Sequence, residues 1–246
     1  MSSRLCNIIT EKIKGNVIVD VGCGSGLTKS IIERAGYYVG IDINYNELQK
    51  GRQIYQNYSN VDFIQSDVRY LPLRNSCTAT IISILMFHEF YPAKDISEVV
   101  KEIYRILACD GVFILVDKFV YNPSNEAEKN SIIWEVLHHE VMKHLLGMEL
   151  WGLHHEKDYI KLLKDGDLKI IDKVCIDRPD YFDYDEFLEL IVKHSRTARI
   201  LKGTCTQPSK KYLESKFEHL LRRVKKFGYK KSKVIVIIAK KEEIND

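Results

Sequence analysis

Val17-Ile-Val-Asp-Val-Gly-Cys-Gly-Ser-Gly26 is the stretch that decides the fold. Branched apolar residues with one acid among them run straight into glycines at 22, 24 and 26, and a helical pattern from Leu27 to Arg34 follows at once. Buried strand, tight turn and helix start, in that order, form a layout that holds a nucleotide-like ligand. Glycine suits the turn because a Cβ there would block backbone approach to the ligand. Close packing of a strand on a helix also demands glycine. The triplet alone is therefore a weak signal, and the segments after it carry the reading.

Tyr37-Tyr-Val-Gly-Ile-Asp42 reads as a second strand ending in an acid. Asp42 lies 16 residues past Gly26, close to the spacing at which a carboxylate reaches ribose hydroxyls. Val61-Asp-Phe-Ile-Gln-Ser-Asp67 reads as a third strand with an acid just beyond it. On these residues the chain resembles the class I S-adenosylmethionine-dependent methyltransferases. Their pattern is hydrophobic-Asp-x-Gly-x-Gly-x-Gly, then an acid closing the second strand, then an Asp after the third. A nicotinamide-binding loop wants G-x-G-x-x-G, and here Leu27 stands where its third glycine belongs. The resemblance implies S-adenosylmethionine as cofactor, held by Asp20, Gly22, Cys23, Gly24, Gly26, Asp42, Ile43, Asp67, Val68 and Ser83. It puts the glycines against the amino-acid portion, Asp42 on the ribose and Asp67 near the adenine amine.

The resemblance spans roughly residues 10 to 120 and is nearest to the small-domain group that includes quinone-biosynthesis enzymes. Ala79 to Glu89 matches the fourth strand and its exit loop, Ile96 to Leu107 the amphipathic helix after it, and Asp110 to Asp117 a turn and fifth strand. Family members often carry an aromatic-Asp pair where this chain has Thr78-Ala79, so a local packing change is expected there. Strands are expected near 17–21, 37–42, 61–65, 79–85 and 111–117, after an opening helix over 3–14. Alternation with helices gives a doubly wound α/β fold. Two further strands, Leu168–Ile176 and Lys233–Lys240, complete seven, the last of them antiparallel by the resemblance.

Two helical insertions decorate this core. The cofactor-binding core is expected over 1–121, with its last strands at 167–178 and 233–246. The first insertion covers 122–166, with a helix start at Pro123-Ser124. The second covers 179–232, with helices over Tyr184–Lys193 and Lys210–Phe227 and breakers at Gly203 and Pro208. Both leave from carboxyl ends of strands, so both begin on the cofactor edge. They are placed to build a lid or an acceptor platform, or simply to cover sheet edges.

At 246 residues the chain is long enough for one large domain or a core with a cap. No run of about 18 apolar residues exists, so no membrane span is expected. Met1-Ser-Ser-Arg-Leu-Cys6 has no apolar core, so no secretory signal is expected. The six scattered cysteines, with no C-x-x-C pair, fit free thiols in a reducing cytoplasm. A net charge of +3 hides a segregation. Residues 193–233 hold fourteen basic residues and two acids, Glu214 and Glu218, against twenty-three basic and thirty-two acidic residues elsewhere. That asymmetry points to an anionic partner, and with Tyr212, Phe217, Phe227 and Tyr229 interleaved it suggests a structured RNA as methyl acceptor. A small-molecule acceptor enclosed by the two insertions is the alternative.

Methyl transfer is an in-line displacement, in which the protein mainly positions the acceptor and excludes water. A base is needed only where the acceptor must lose a proton. His88, with Glu89 beside it, follows the fourth strand and is the candidate for that role, with shaping of the pocket wall as its plainer one. No Asn/Asp/Ser-Pro-Pro-Tyr motif follows this strand, which lowers the case for nucleobase amino methylation. Cys23 and Cys205 lack the context of a nucleophile. Five histidines fall between 138 and 155, but His139 and His144 are one residue too far apart for H-E-x-x-H, so no metal is expected.

Overall fold

The branched run opens β1 (Val17–Val21), and each strand expected around it forms: β2 (Tyr37–Asp42), β3 (Val61–Gln65), β4 (Thr78–Ile84) and β5 (Leu107–Lys118). These come from a computed structural model that describes residues 3–203 and 209–241. With β6 (Leu168–Ile176) and β9 (Val234–Lys241) they make one seven-stranded sheet, in the order β3-β2-β1-β4-β5-β9-β6. The strands from β1 to β5 pair in parallel, and β9 runs antiparallel to both β5 and β6. The strand order reverses between β1 and β4, which is where such sheets open a crevice at their carboxyl ends. A small ribbon, β7 (Tyr181–Phe182) with β8 (Tyr229–Lys230), lies outside the sheet and has no clear signature in the sequence.

β5 begins four residues earlier than its pattern suggests. The Asp110-Gly111 turn is absorbed into the strand, with Asp110 at φ +59° and a register shift against β4 between Thr78 and Thr80. Thr78 is buried and donates to the Val17 carbonyl at 2.9 Å. That bond ties the start of β4 to β1 where an aromatic-Asp pair is more usual.

One sheet face packs α4 (Ile96–Ile106) and α6 (Glu156–Asp165) over Val99, Ile103, Tyr159 and Leu163. The other packs α1 (Ser3–Lys12), α2 (Lys29–Ile32) and α3 (Tyr45–Ile54) over Ile9, Ile31, Ile32 and Leu48. The helix expected from Leu27 is a single turn, α2, and no side chain caps its start at Thr28.

A third apolar cluster stands apart from the sheet. It joins α5 (Glu126–Leu146) to α7 (Tyr184–Glu186), α8 (Arg196–Lys202) and α9 (Ser209–Phe227) around Trp134, Phe187, Phe217 and Leu220. Asn125, not Ser124, caps α5, accepting from the Glu128 N–H. An Asp183–Glu186 capping box starts α7, which widens into a π-helical turn over Phe187–Val192. The expected break at Gly203 is present, whereas Pro208 and Cys205 lie outside the described residues. Among the described residues no helix is long and apolar enough to cross a membrane.

Candidate active site

The glycine turn is held by β2. Gly22 and Cys23 both donate to the Ile41 carbonyl, at 2.8 and 3.1 Å. Gly22 sits at φ +72°, and a Cβ on it would lie 2.2 Å from Cγ of Met86, in the loop after β4. The glycine therefore makes room for that loop, where the sequence suggested room for a ligand. Gly24, at φ +54°, has open space where its Cβ would be. Its N–H is free to donate to Asp42 Oδ2 at 2.8 Å. The other Asp42 oxygen accepts from the Asn44 N–H at 2.8 Å, so the acid closing β2 is fixed at the mouth of the turn with lone pairs to spare.

Asp20 is buried beneath this turn. Its Oδ2 accepts from the Tyr38 hydroxyl at 2.7 Å, and its Oδ1 meets no partner among the described residues. Burial pushes its carboxyl up to about 7, against the Tyr38 hydrogen bond that lowers it. Asp20, Gly22, Cys23 and Gly26 line a space of ≈ 290 Å³. Burial, with the charges of Asp20 and Asp42, holds the Cys23 thiol protonated, so it is no nucleophile. Ser83 is fully buried in β4, and its hydroxyl also meets no partner among the described residues.

A larger cleft, ≈ 680 Å³, opens from the other side of Gly22. Asp42, Ile43, Asp67 and Val68 line its cofactor end; Glu89, Tyr91, Met148 and Arg196 line the rest. Asp67 departs from expectation. Arg69 grips its two oxygens at 2.6–3.1 Å and also reaches Asp95 at 2.6 Å. The Arg69 hydrogen bonds keep the Asp67 carboxyl below its ordinary range. Asp67 thus already has a cationic partner at the place where an amine was expected.

The acceptor end is built from distant pieces of chain. The loop after β4 is zipped to residues 149–152. Trp151 N–H donates to the Phe90 carbonyl at 2.8 Å, Gly152 N–H to that of His88 at 3.0 Å, and Ala93 N–H to that of Glu149 at 3.0 Å. His88 is 2 % exposed and lies behind the wall. Its Nδ1 bonds to the buried Asp117 of β5, while Nε2 lies 3.5 Å from Glu89 Oε1. The residue that reaches the cleft is Glu89, so a direct hand-off of a proton to His88 has no open path. Burial opposes charge on Glu89. The His138 hydrogen bond at 3.1 Å and the charges of His138, His88 and Lys118 outweigh it, holding the carboxyl down to about 2.

His138 and His139 join this group from α5; neither stood out beside the longer histidine run. His138 Nδ1 lies 2.7 Å from the buried Thr197 hydroxyl. Burial depresses His139 to about 4, so it is a neutral imidazole. Of the other histidines, His144 is exposed, His154 stacks on Trp151 at 4.2 Å, and His155 caps α6. Met148 and Arg196 had no signal in the sequence, since nothing local places them at the cleft.

The basic stretch 193–233 is answered largely from within. Among the described residues, eight of its fourteen cations are ion-paired: Lys193, Lys210, Lys216, Arg222, Arg223, Lys230, Lys231 and Lys233. Lys216 meets Glu140, Arg223 meets Glu126, and Lys230 and Lys233 converge on the buried Glu128. The acids of α5 are thus the main counterpart of the cations on α9 and β8. Charge read by segment misses this, because the partners lie about 80 to 100 residues apart in the chain.

Comparison with known proteins agrees with this fold. Residues 19–115 match the family described as methyltransferase domain. An uncharacterised chloroplastic methyltransferase of Arabidopsis thaliana is 26% identical over 130 residues, which are 49% of this chain and 36% of that protein. Carboxy-S-adenosyl-L-methionine synthase of Pasteurella multocida is 25% identical over 131 residues, 50% of this chain and 52% of that protein. The chain thus spans about half or less of the length of these curated relatives. A candidate methyltransferase structure from Bacillus halodurans superposes with a TM-score of 0.67 at 18% identity, covering 98% of this chain and 100% of that one. Residues 19–115 of this chain thus match a methyltransferase domain on a Rossmann-like fold, a kind of domain that uses S-adenosylmethionine.

The residues present fit that cofactor. An orphaned carboxylate oxygen on Asp20 stands by the glycine turn, suited to a cationic end. Spare acceptors on Asp42 suit ribose hydroxyls.

Proposed function

We propose that the whole chain is an S-adenosylmethionine-dependent methyltransferase whose acceptor is a small molecule bearing an anionic group. The observation that supports this most is the composition of the cleft. Arg196 lines it, is exposed, and pairs with no carboxylate among the described residues; its only polar contact there is the Met148 sulfur at 3.6 Å. A guanidinium left open in a cleft suits a carboxylate or phosphate. The cleft volume falls in the range of small-ligand sites, and the cofactor would occupy part of it.

S-adenosylmethionine, when bound, supplies an activated methyl group. Asp20, the glycine turn and Asp42 hold and orient it. The 149–152 segment, bonded along the loop after β4, shields the acceptor end from water. Glu89, ionised and held by His138, accepts a hydrogen bond from the acceptor and orients its nucleophilic atom. His88 and Asp117 stand behind Glu89 as positioning residues.

Methylation of a structured RNA rested on the 193–233 cations, and internal pairing takes up more than half of them. Cytoplasmic residence is part of the proposal, because Cys6, Cys23, Cys77 and Cys175 are free thiols. The test is incubation with methyl-labelled cofactor and separate RNA, protein and small-metabolite fractions of a cell extract. Label is expected in the metabolite fraction and retained at high salt. Label confined to RNA, with capture that weakens steeply as salt rises, would return the reading to the basic face.

A further inference from the structure

The geometry points to a binding site for one divalent transition-metal ion at the acceptor end of the cleft, held by Glu89, His138 and His139. A ligand atom from each of the three lies within 4.8 Å of the others. Two imidazoles and one carboxylate form a donor set with the character of first-row divalent ions such as Zn²⁺, Fe²⁺ or Co²⁺. The set is assembled from two directions: Glu89 from the loop after β4, and His138 with His139 from α5.

Three further observations go beyond a cluster of polar residues. His139 Nε2 is closed to solvent and meets no hydrogen-bond partner among the described residues, an unusual state for a buried ring nitrogen. His138 Nδ1 is tied to the buried Thr197 hydroxyl at 2.7 Å, which fixes the ring and turns Nε2 toward Glu89. Glu89 is steadied from behind by His88, itself oriented by Asp117. Supporting contacts of this kind set the ring orientation and basicity of metal ligands. A second triad, His88, Glu89 and Glu135, shares the same carboxylate, but Glu135 is already paired with Lys118 at 2.7 Å and His88 with Asp117. Those residues therefore serve as the supporting layer, and the site is the triad with an unsatisfied nitrogen.

Glu89 lines the cleft, so an ion held there meets the acceptor. A bound divalent ion lowers the pKa of an oxygen or nitrogen ligand. On the methyltransferase reading, the acceptors favoured are those with an ionisable O–H or N–H that an ion can also grip. That extension rests on the proposed function; the ion site itself does not.

Cobalt titration of the full, chelator-stripped chain tests the site. Co²⁺ is expected to give visible d–d bands that saturate at one ion per chain and are displaced by Zn²⁺. The His138→Ala/His139→Ala pair should weaken Co²⁺ binding by at least 100-fold, and Glu89→Gln, which keeps the shape of the site, by a similar factor. Thr197→Val should cost roughly 10-fold through the loss of ring orientation. The exposed His144→Ala should leave binding unchanged. Absence of the bands, or affinity unaltered in both the histidine pair and Glu89→Gln, overturns the proposal and leaves the cluster a hydrogen-bonded network. Calorimetry with S-adenosylmethionine runs alongside. Its failure on the unaltered chain would count against the methyltransferase reading without touching the cobalt result.

Discussion

One wall of the site comes mainly from a single stretch of chain, residues 20–44, and the facing wall from three separate ones. Asp20, Gly22, Gly24 and Asp42 are brought together by two adjacent parallel strands and a turn. Glu89, Met148 and Arg196, with His138 behind them, come from the loop after β4, the end of α5 and the start of α8. The first wall is held by main-chain bonds and is rigid by construction. The second depends on packing in the third apolar cluster and on ion pairs that cross between helices. Changes to the first should therefore act on cofactor binding and on the pH response of the core. Changes to the second should act on the stability of the α5, α8 and α9 cluster that forms its roof, and on the acceptor.

The largest effect is expected at Asp20. Burial raises its folded pKa to about 7, well above the ordinary range of a carboxyl. Between about pH 4 and 7 the folded chain keeps a proton that the unfolded chain has lost, so stability falls as pH rises through that window. The cost reaches up to roughly 4 kcal/mol above pH 7. Asp20→Asn should flatten the slope and raise the stability of the cofactor-free chain at pH 8, as read by urea unfolding at several pH values. An unchanged slope would remove Asp20 as the source.

Next comes Glu128, on the roof. It is 1 % exposed and receives Lys230, Lys233 and the Ser124 N–H. Glu128→Ala removes the ion-pair partner of Lys233 and one of the two of Lys230, which keeps Asp177, and should cost about 3 kcal/mol. A thermal scan should show the loss, while cofactor affinity at low temperature stays within twofold. A parallel loss of cofactor affinity would mean that the two walls are less independent than their construction implies.

Asp42→Ala should weaken S-adenosylmethionine binding by about 1.5–3 kcal/mol, through charge-assisted bonds lost to the ribose and a glycine turn left unanchored. Calorimetry reads this directly, and full affinity in the variant would break the assignment. The smallest effect falls on Arg196. Once an acceptor is in hand, Arg196→Gln should raise its KM about 10-fold, near 1.4 kcal/mol, with kcat within twofold. A fall in kcat at constant KM would instead place the guanidinium at the reacting atoms.

What the sequence made legible follows the same division. The order of strands, their bounds to within a few residues, and the acids closing β1 and β2 rest on contiguous patterns. Alternation and a glycine turn act over short distances, so they survive without tertiary context. The partners of Asp67 and His88 were not legible. Arg69 is only two residues from Asp67, yet an Asp-x-Arg spacing does not say that the two side chains meet. The bond from His88 to Asp117 crosses 29 residues and depends on β4 lying beside β5. The pairing of the cations in residues 193–233 was not legible either, because a segment count ignores what α5 brings across from a hundred residues away. The histidine run drew attention to the wrong spacing. His138 and His139 matter as neighbours of Glu89, and only the assembled roof makes them so.

The antiparallel β9 has a consequence for biosynthesis. Its place between β5 and β6 stays empty while the ribosome makes the ribbon, α7, α8 and α9. During that interval the Val112–Val116 run of β5 presents unpaired backbone on an apolar edge, the kind of surface that recruits other chains. A nascent chain stalled after residue 176 would carry a finished glycine turn and an open sheet.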